Sequence, residues 1–197
     1  MDAMEMDPAR NDQLVLVDAL GRQVGVASKE QVHREGMLHR AFSLQFVRMG
    51  SAGLEFLLAR RASGKYHCAG LWGNSCCSHP RAGETPADAF ARRAWEELGA
   101  RVVSLQEVAR FVYRAELDGG LVEFEYDQVM VGACEGELHP SLDEVDCLWW
   151  VSVEKLARLI ATHSELFAPW ALTVLPMVLA HVRSGGLFED VCWGAAL

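Results

Sequence analysis

A chain of 197 residues, 51% of them apolar, is long enough to bury a core without staples and reads most simply as one domain. Its formal net charge of −9 argues against a general nucleic-acid surface, and no apolar run approaches the roughly 20 residues of a membrane span. The opening MDAMEMDPAR is acidic and has no apolar centre, so no signal peptide is read there. The cytoplasm is the expected compartment, where the six cysteines stay reduced.

In chain order, QLVLVDALGRQVGVAS predicts a hairpin turning near Leu20 and Gly21. The polar stretch KEQVHREGMLHR, carrying His33 and His39, reads as a loop. AFSLQFVRM and LEFLLARR are strands about a turn at Gly50 to Gly53. Residues 61–72 read as a loop that leads into a short strand near Asn74 to Cys77. GETPADAFARRAWEELGA is the clearest helix, with Thr85 as N-cap, Pro86 at the first helical position and Gly99 as stop signal. Strand patterns follow at VSLQEVARFVYRAE, at LVEFEYDQVMVGA after an LDGG turn, and at DCLWWVS. Two helices are expected last, over Val153 to Thr162 and from about Pro169 to Ser184. Hairpins outnumber βαβ units, which predicts an α+β domain over 1–184 with a mixed or antiparallel sheet. The tail, 185–197, receives no role.

Some residues invite chemistry. In VEFEY, Glu123 and Glu125 stand at i and i+2 of a strand and so share a face, where they repel unless a cation or a shared proton intervenes. Taken alone, such a pair is more simply a solvated hairpin face. His33, His39 and His79 would add imidazoles, and imidazole with carboxylate suits Mn, Zn or Fe, whereas oxygen-rich surroundings suit Mg. ARRASGK and ARRAW are basic islands, either solvated arginines or a local cluster for a small anion. Cys68, Cys76, Cys77 and His79 fit a structural zinc site poorly, because adjacent cysteines seldom share one tetrahedral ion. Cys134 and Cys147, in strand patterns, read as core.

The helix resembles the Nudix signature, G-x5-E-x7-R-E-U-x-E-E-x-G-U, with Glu84, Arg92, Glu96, Glu97 and Gly99 in register. Ser78 replaces its first glycine, and Arg93 replaces the glutamate after the arginine. Across residues 14–182 the chain further resembles type 1 isopentenyl-diphosphate isomerases, through HREGMLHRAFS, ARRASGK, LWGNSCCSHP, RRAWEELG, FVYRAE, VEFEY and FAPW in the family's order. Gly73 departs from the family's threonine, and the loop from His33 to His39 is a residue shorter than in some members.

The resemblance implies a Nudix-like mixed β-sheet layered between α-helices. It implies conversion of isopentenyl diphosphate to dimethylallyl diphosphate through a tertiary carbocation-like species, in a monomer or homodimer. Cys77 and Glu125, the latter assisted by Tyr113, would move the protons, in a direction left open. A divalent ion (Mn2+, Zn2+ or Mg2+) would sit at His33, His39, His79, Glu123 and Glu125. Mg2+ would join the substrate diphosphate to Glu97 and the backbone carbonyl of Cys77. Lys29, Arg61, Lys65 and Arg93 would contact the diphosphate, and Trp170 would line the hydrocarbon end, with Trp72 a further residue at its border. Cys76, one position along the strand from Cys77, should face away into the core. Because Glu96 and Glu97 are intact, the alternative is a Nudix hydrolase cleaving a nucleotide or other diphosphate; Arg93 stands against it, replacing a metal ligand with a phosphate ligand.

Overall fold

The computed structural model describes residues 12–51, 53–65 and 67–186, so the opening MDAMEMDPAR and the tail from residue 187 onward lie outside the described residues. The hairpin of β1 (Gln13–Val17) and β2 (Gln23–Ser28) leads directly into a short helix, α1 (Lys29–Glu35). A loop was expected here. The Ser28 side chain accepts from the Gln31 amide, and Gly36 closes the helix at φ 62°, where a side chain would be strained. Val32 is its fully buried apolar anchor, too little periodicity to read from sequence.

Next come β3 (His39–Gly50) and β4 (Gly53–Arg61), paired only over Val47 to Phe56 before they diverge. The fork is filled by β5 (Trp72–Gly73), which pairs with β4, and β6 (Cys76–Ser78), which pairs with β3. The single strand expected at Asn74 to Cys77 is thus split, and side chains replace the missing ladder. Asn74 Nδ2 donates to the carbonyls of Leu44 and Cys76, at 3.1 and 3.0 Å. Ser75 Oγ donates to Leu57 O at 2.8 Å and accepts from Phe46 N at 2.8 Å. Buried backbone groups at the crossing are satisfied in this way.

Helix α2 (Pro86–Leu98) has the expected caps: Thr85 accepts from the Asp88 amide, and Gly99 adopts φ 64°. The long hairpin β7 (Arg101–Glu116) and β8 (Val122–Glu135) follows, then β9 (Val145–Ser152) on β4, α3 (Val153–Thr162) and α4 (Ala171–Arg183). Strand β8 lies parallel to β3, His39 beside Glu125 and Phe46 beside Gly132, which makes the sheet mixed.

Alternation on β3 divides the interior into two layers. Phe42, Leu44 and Phe46 face α2, where they pack with Cys76, Phe90, Ala94 and Leu98. On the other face Val47, Val129 and Val131 pack against Leu156 of α3 and Val174, Leu175 and Val178 of α4. Helices therefore cover both faces of an α+β sheet. No helix among the described residues is long and apolar enough to cross a membrane.

Candidate active site

Helix α1 and strand β3 aim two imidazoles at one point. His33 Nδ1 donates to the Lys29 carbonyl at 2.6 Å, and His39 Nδ1 donates to the Met37 carbonyl at 2.9 Å. A carbonyl only accepts, so each ring carries its proton on Nδ1 and presents the Nε2 lone pair inward. His39 Nε2 lies 3.1 Å from His79 Nε2. His33 Nε2 lies 3.2 Å from Glu123 Oε2, yet neither atom has a hydrogen-bond partner. Ligand atoms of His33, His39, His79 and Glu123 all fall within 4.8 Å of one another. Two buried, unpartnered acceptor atoms, His33 Nε2 and Glu123 Oε2, with two further imidazoles within reach are what a divalent cation requires, so this donor set fits one. Burial also lowers His79 to about 4, which leaves its ring neutral. In His33 burial is outweighed by the Glu123 carboxylate, and the ring is raised.

Glu125 adjoins this cluster, its Oε1 2.9 Å from His79 Nε2 and 3.7 Å from His39 Nε2. Burial alone would raise this carboxyl, but the neighbouring His39 and His79 rings hold it well below the usual carboxylate range. Its other oxygen accepts the Tyr113 hydroxyl at 2.6 Å, a contact set by the register that places Tyr113 opposite Glu125. Burial and the Glu125 charge push the phenol far up, so it stays a donor.

Cys77 points to the same layer from β6. Its Sγ donates to Asn74 Oδ1 at 2.8 Å and lies 3.4 Å from Ser43 Oγ, which donates to Asp127 Oδ2 at 2.7 Å. Burial, and Asp127 where it is ionised, raise the thiol, so it is neutral at ordinary pH. Asp127 itself is raised to about 8 by burial and by Glu125. Cys76 faces the opposite layer and is 2% exposed.

One cavity joins these groups to the cations. It is lined by Cys77, His79, Tyr113, Glu123, Glu125 and Trp170, and also by Lys29, Arg61, Lys65, Arg93, Glu97 and Glu144. Arg93 pairs with Glu97 one turn along α2 and donates to Glu96 at 2.8 Å, while its buried Nε has no partner among the described residues. The Arg61 guanidinium lies 5.2 Å from the centre of the Trp170 ring.

The catalytic, diphosphate-contacting and metal candidates read from the sequence therefore lie on this cavity or, for His33 and His39, among the donors converging beside it. Trp72 does not: its ring packs 5.6 Å from Trp149, outside the lining. Reading from sequence missed Ser43, His67, Asn74, Asp127 and Glu144. Asp127 had a signal, since it extends the i, i+2 stripe of Glu123 and Glu125. His67 had none; tertiary folding brings its ring to 5.9 Å from Trp170 and its Nε2 to 3.5 Å from both Glu123 and Arg61. Burial and the Arg61 charge lower that ring to about 4.

The NUDIX domain family matches residues 37–171. Isopentenyl-diphosphate Delta-isomerase of Photobacterium profundum is 46% identical over 175 residues, 88% of this chain and 97% of the relative. Isopentenyl-diphosphate Delta-isomerase 2 of Photorhabdus laumondii is 45% identical over 157 residues, 80% of this chain and 86% of the relative. Among solved structures, a MutT Nudix hydrolase from Burkholderia pseudomallei superposes with a TM-score of 0.57 at 20% identity, over 72% of this chain and 98% of that one. That likeness is one of fold alone. Arginine at position 93, the thiol and carboxylate facing one cavity, and relatives matched along nearly their whole length agree: the chain belongs to the isopentenyl-diphosphate Delta-isomerase family of the Nudix superfamily.

Proposed function

We propose that this enzyme converts isopentenyl diphosphate to dimethylallyl diphosphate, with Cys77 on one side of the bound alkene and the Glu125–Tyr113 pair on the other. The observation that carries this reading is geometric: the Cys77 thiol and the Glu125 carboxylate, the latter bonded to the Tyr113 hydroxyl at 2.6 Å, line one cavity. One proton enters at the terminal carbon and a different one leaves C2, so the substrate is neither oxidised nor reduced overall. Since the reaction is reversible, each group donates in one direction and accepts in the other. Tyr113 keeps Glu125 oriented through its hydrogen bond.

An unactivated alkene is a weak base, so water must be excluded while the cation forms. The buried walls of the cavity serve that end, and Trp170, 7% exposed, offers a ring face worth about 2 kcal/mol to a desolvated cation. Lys29, Arg61, Lys65 and Arg93 anchor the diphosphate, the arginines through planar forks matched to phosphate oxygens. A divalent ion among His33, His39, His79, Glu123 and Glu125 would draw charge from Glu125, and Mg2+ at Glu97 and the Cys77 carbonyl would neutralise the diphosphate. We infer a cytoplasmic enzyme, as monomer or homodimer, acting on a small isoprenoid diphosphate.

Incubation with isopentenyl diphosphate and Mg2+ or Mn2+ in deuterated water tests this. The expected result is deuterium-labelled dimethylallyl diphosphate. Absence of label and product, with phosphate released from nucleoside diphosphate compounds, would establish the hydrolase instead.

A further inference from the structure

The cations on the cavity are not left facing one another. Lys29, Lys65 and Arg93 are close enough that the charges of Lys65 and Arg93 act on Lys29, whose ammonium is lowered mainly by burial. Glu144 stands among them. One carboxylate oxygen pairs with Lys65 Nζ, and the other lies 3.6 Å from Arg93 Nη2, the nitrogen that also pairs with Glu97. Its own burial is overcome by Lys65, so the carboxyl is held below the usual range and is ionised.

The backbone at Glu144 is held by hydrogen bonds, whereas its side chain is held by ion pairs. Ala62 N donates to the Glu144 carbonyl at 3.0 Å, Glu144 N donates to Ser141 O at 2.9 Å, and Ser141 N donates to Glu97 O at 2.9 Å. This strap ties the segment before β9 to the end of α2 and to the basic loop after β4. Glu144 lines the cavity, its carboxylate carried on rotatable bonds, and its side chain keeps 28% of its exposure. The buried Arg93 Nε, unpartnered among the described residues, marks an acceptor position that Glu144 does not fill.

Resting on the diphosphate reading of the cation cluster, we propose that Glu144 is a placeholder carboxylate: in the ligand-free protein it takes the place of a phosphate group between Lys65 and Arg93, and it yields that place when the substrate's diphosphate binds. Without it, cations in a half-buried cavity would repel one another and turn outward to water. With it, the cations stay aimed inward, and a ligand carrying more negative charge and more acceptors displaces it. The exchange lowers affinity for the diphosphate and preserves the shape of its site.

Calorimetric titration with inorganic pyrophosphate, without added magnesium, tests the inference on the full chain. Glu144→Gln should bind about tenfold more tightly than the parent protein, because a competing anion is gone. Glu96→Gln removes the same charge from the same guanidinium but at an oxygen outside the cavity lining, and it should change affinity little. Equal tightening in both variants would reduce the effect to general charge relief and overturn the proposal. Unchanged or weaker binding by Glu144→Gln, with Lys65→Ala and Arg93→Ala both weakening it, would overturn the placeholder and leave the cation cluster standing. Binding indifferent to Lys65 and Arg93 would overturn the diphosphate reading and the placeholder with it.

Discussion

The two faces of the central sheet are built from the same strands by different rules. Toward α2, β3 and β6 present Phe42, Leu44, Phe46 and Cys76, a contiguous apolar layer with Phe42 and Phe90 ring centres 4.7 Å apart. Toward α4 the layer is apolar only in part. Val129 and Val131 continue the core, but the preceding positions of the same stripe are Asp127, Glu125 and Glu123, and His39, Ser43 and Cys77 stand beside them. Burying ionisable groups in this way costs stability unless partners or an ion compensate. One face stabilises the fold; the other gives up packing to hold chemistry.

The adjacent thiols divide this comparison most sharply. Cys77→Ala should lower turnover by about 10³-fold with little change in thermal midpoint, whereas Cys76→Ala should keep turnover and lose about 1 kcal/mol. Label incorporation beside a melting curve reads both, and equal loss of turnover in the pair would erase the distinction between faces. On the apolar face Leu44→Ala should destabilise by about 3 kcal/mol in urea unfolding, while the protein that remains folded keeps its specific activity. A further effect concerns how α2 is fastened. Arg92 grips Glu84 with bonds of 2.6 and 2.8 Å, and the Arg81 amide adds a third at 2.8 Å. Burial would raise Glu84, but Arg92 and Arg81 outweigh it and lower its pKa, so this stabilisation is present above the unfolded carboxylate range and lost as pH falls through the folded value. Glu84→Gln should cost about 2 kcal/mol at neutral pH and flatten the acid side of the stability profile, measured by melting from pH 7 to 3.

Legibility in the sequence followed how local each signal was. Helix α2 was readable because Thr85, Pro86 and Gly99 act within one turn of its ends. The stripe from Glu123 was readable because a strand's period is two. Helix α1 was not, since a seven-residue polar helix has one buried apolar anchor and depends on Ser28 and Gly36 for its limits. The split between β5 and β6 was hidden as well, because Asn74 and Ser75 bond to Leu44, Phe46 and Leu57 on other strands. His67 and Glu144 come from loops, and no spacing rule connects a loop residue to a cavity it reaches only after folding.

The parallel pairing of β3 with β8 also sets an order in time. Ser43 and Asp127, bonded in the site, are 84 residues apart in the chain, and no tight turn can join parallel neighbours. Closing so long a loop is slow relative to forming α2 or the β7–β8 hairpin. The donors on β3 and β8 thus meet only when this closure is complete. Recovery of catalytic competence during refolding should therefore lag the recovery of helical signal.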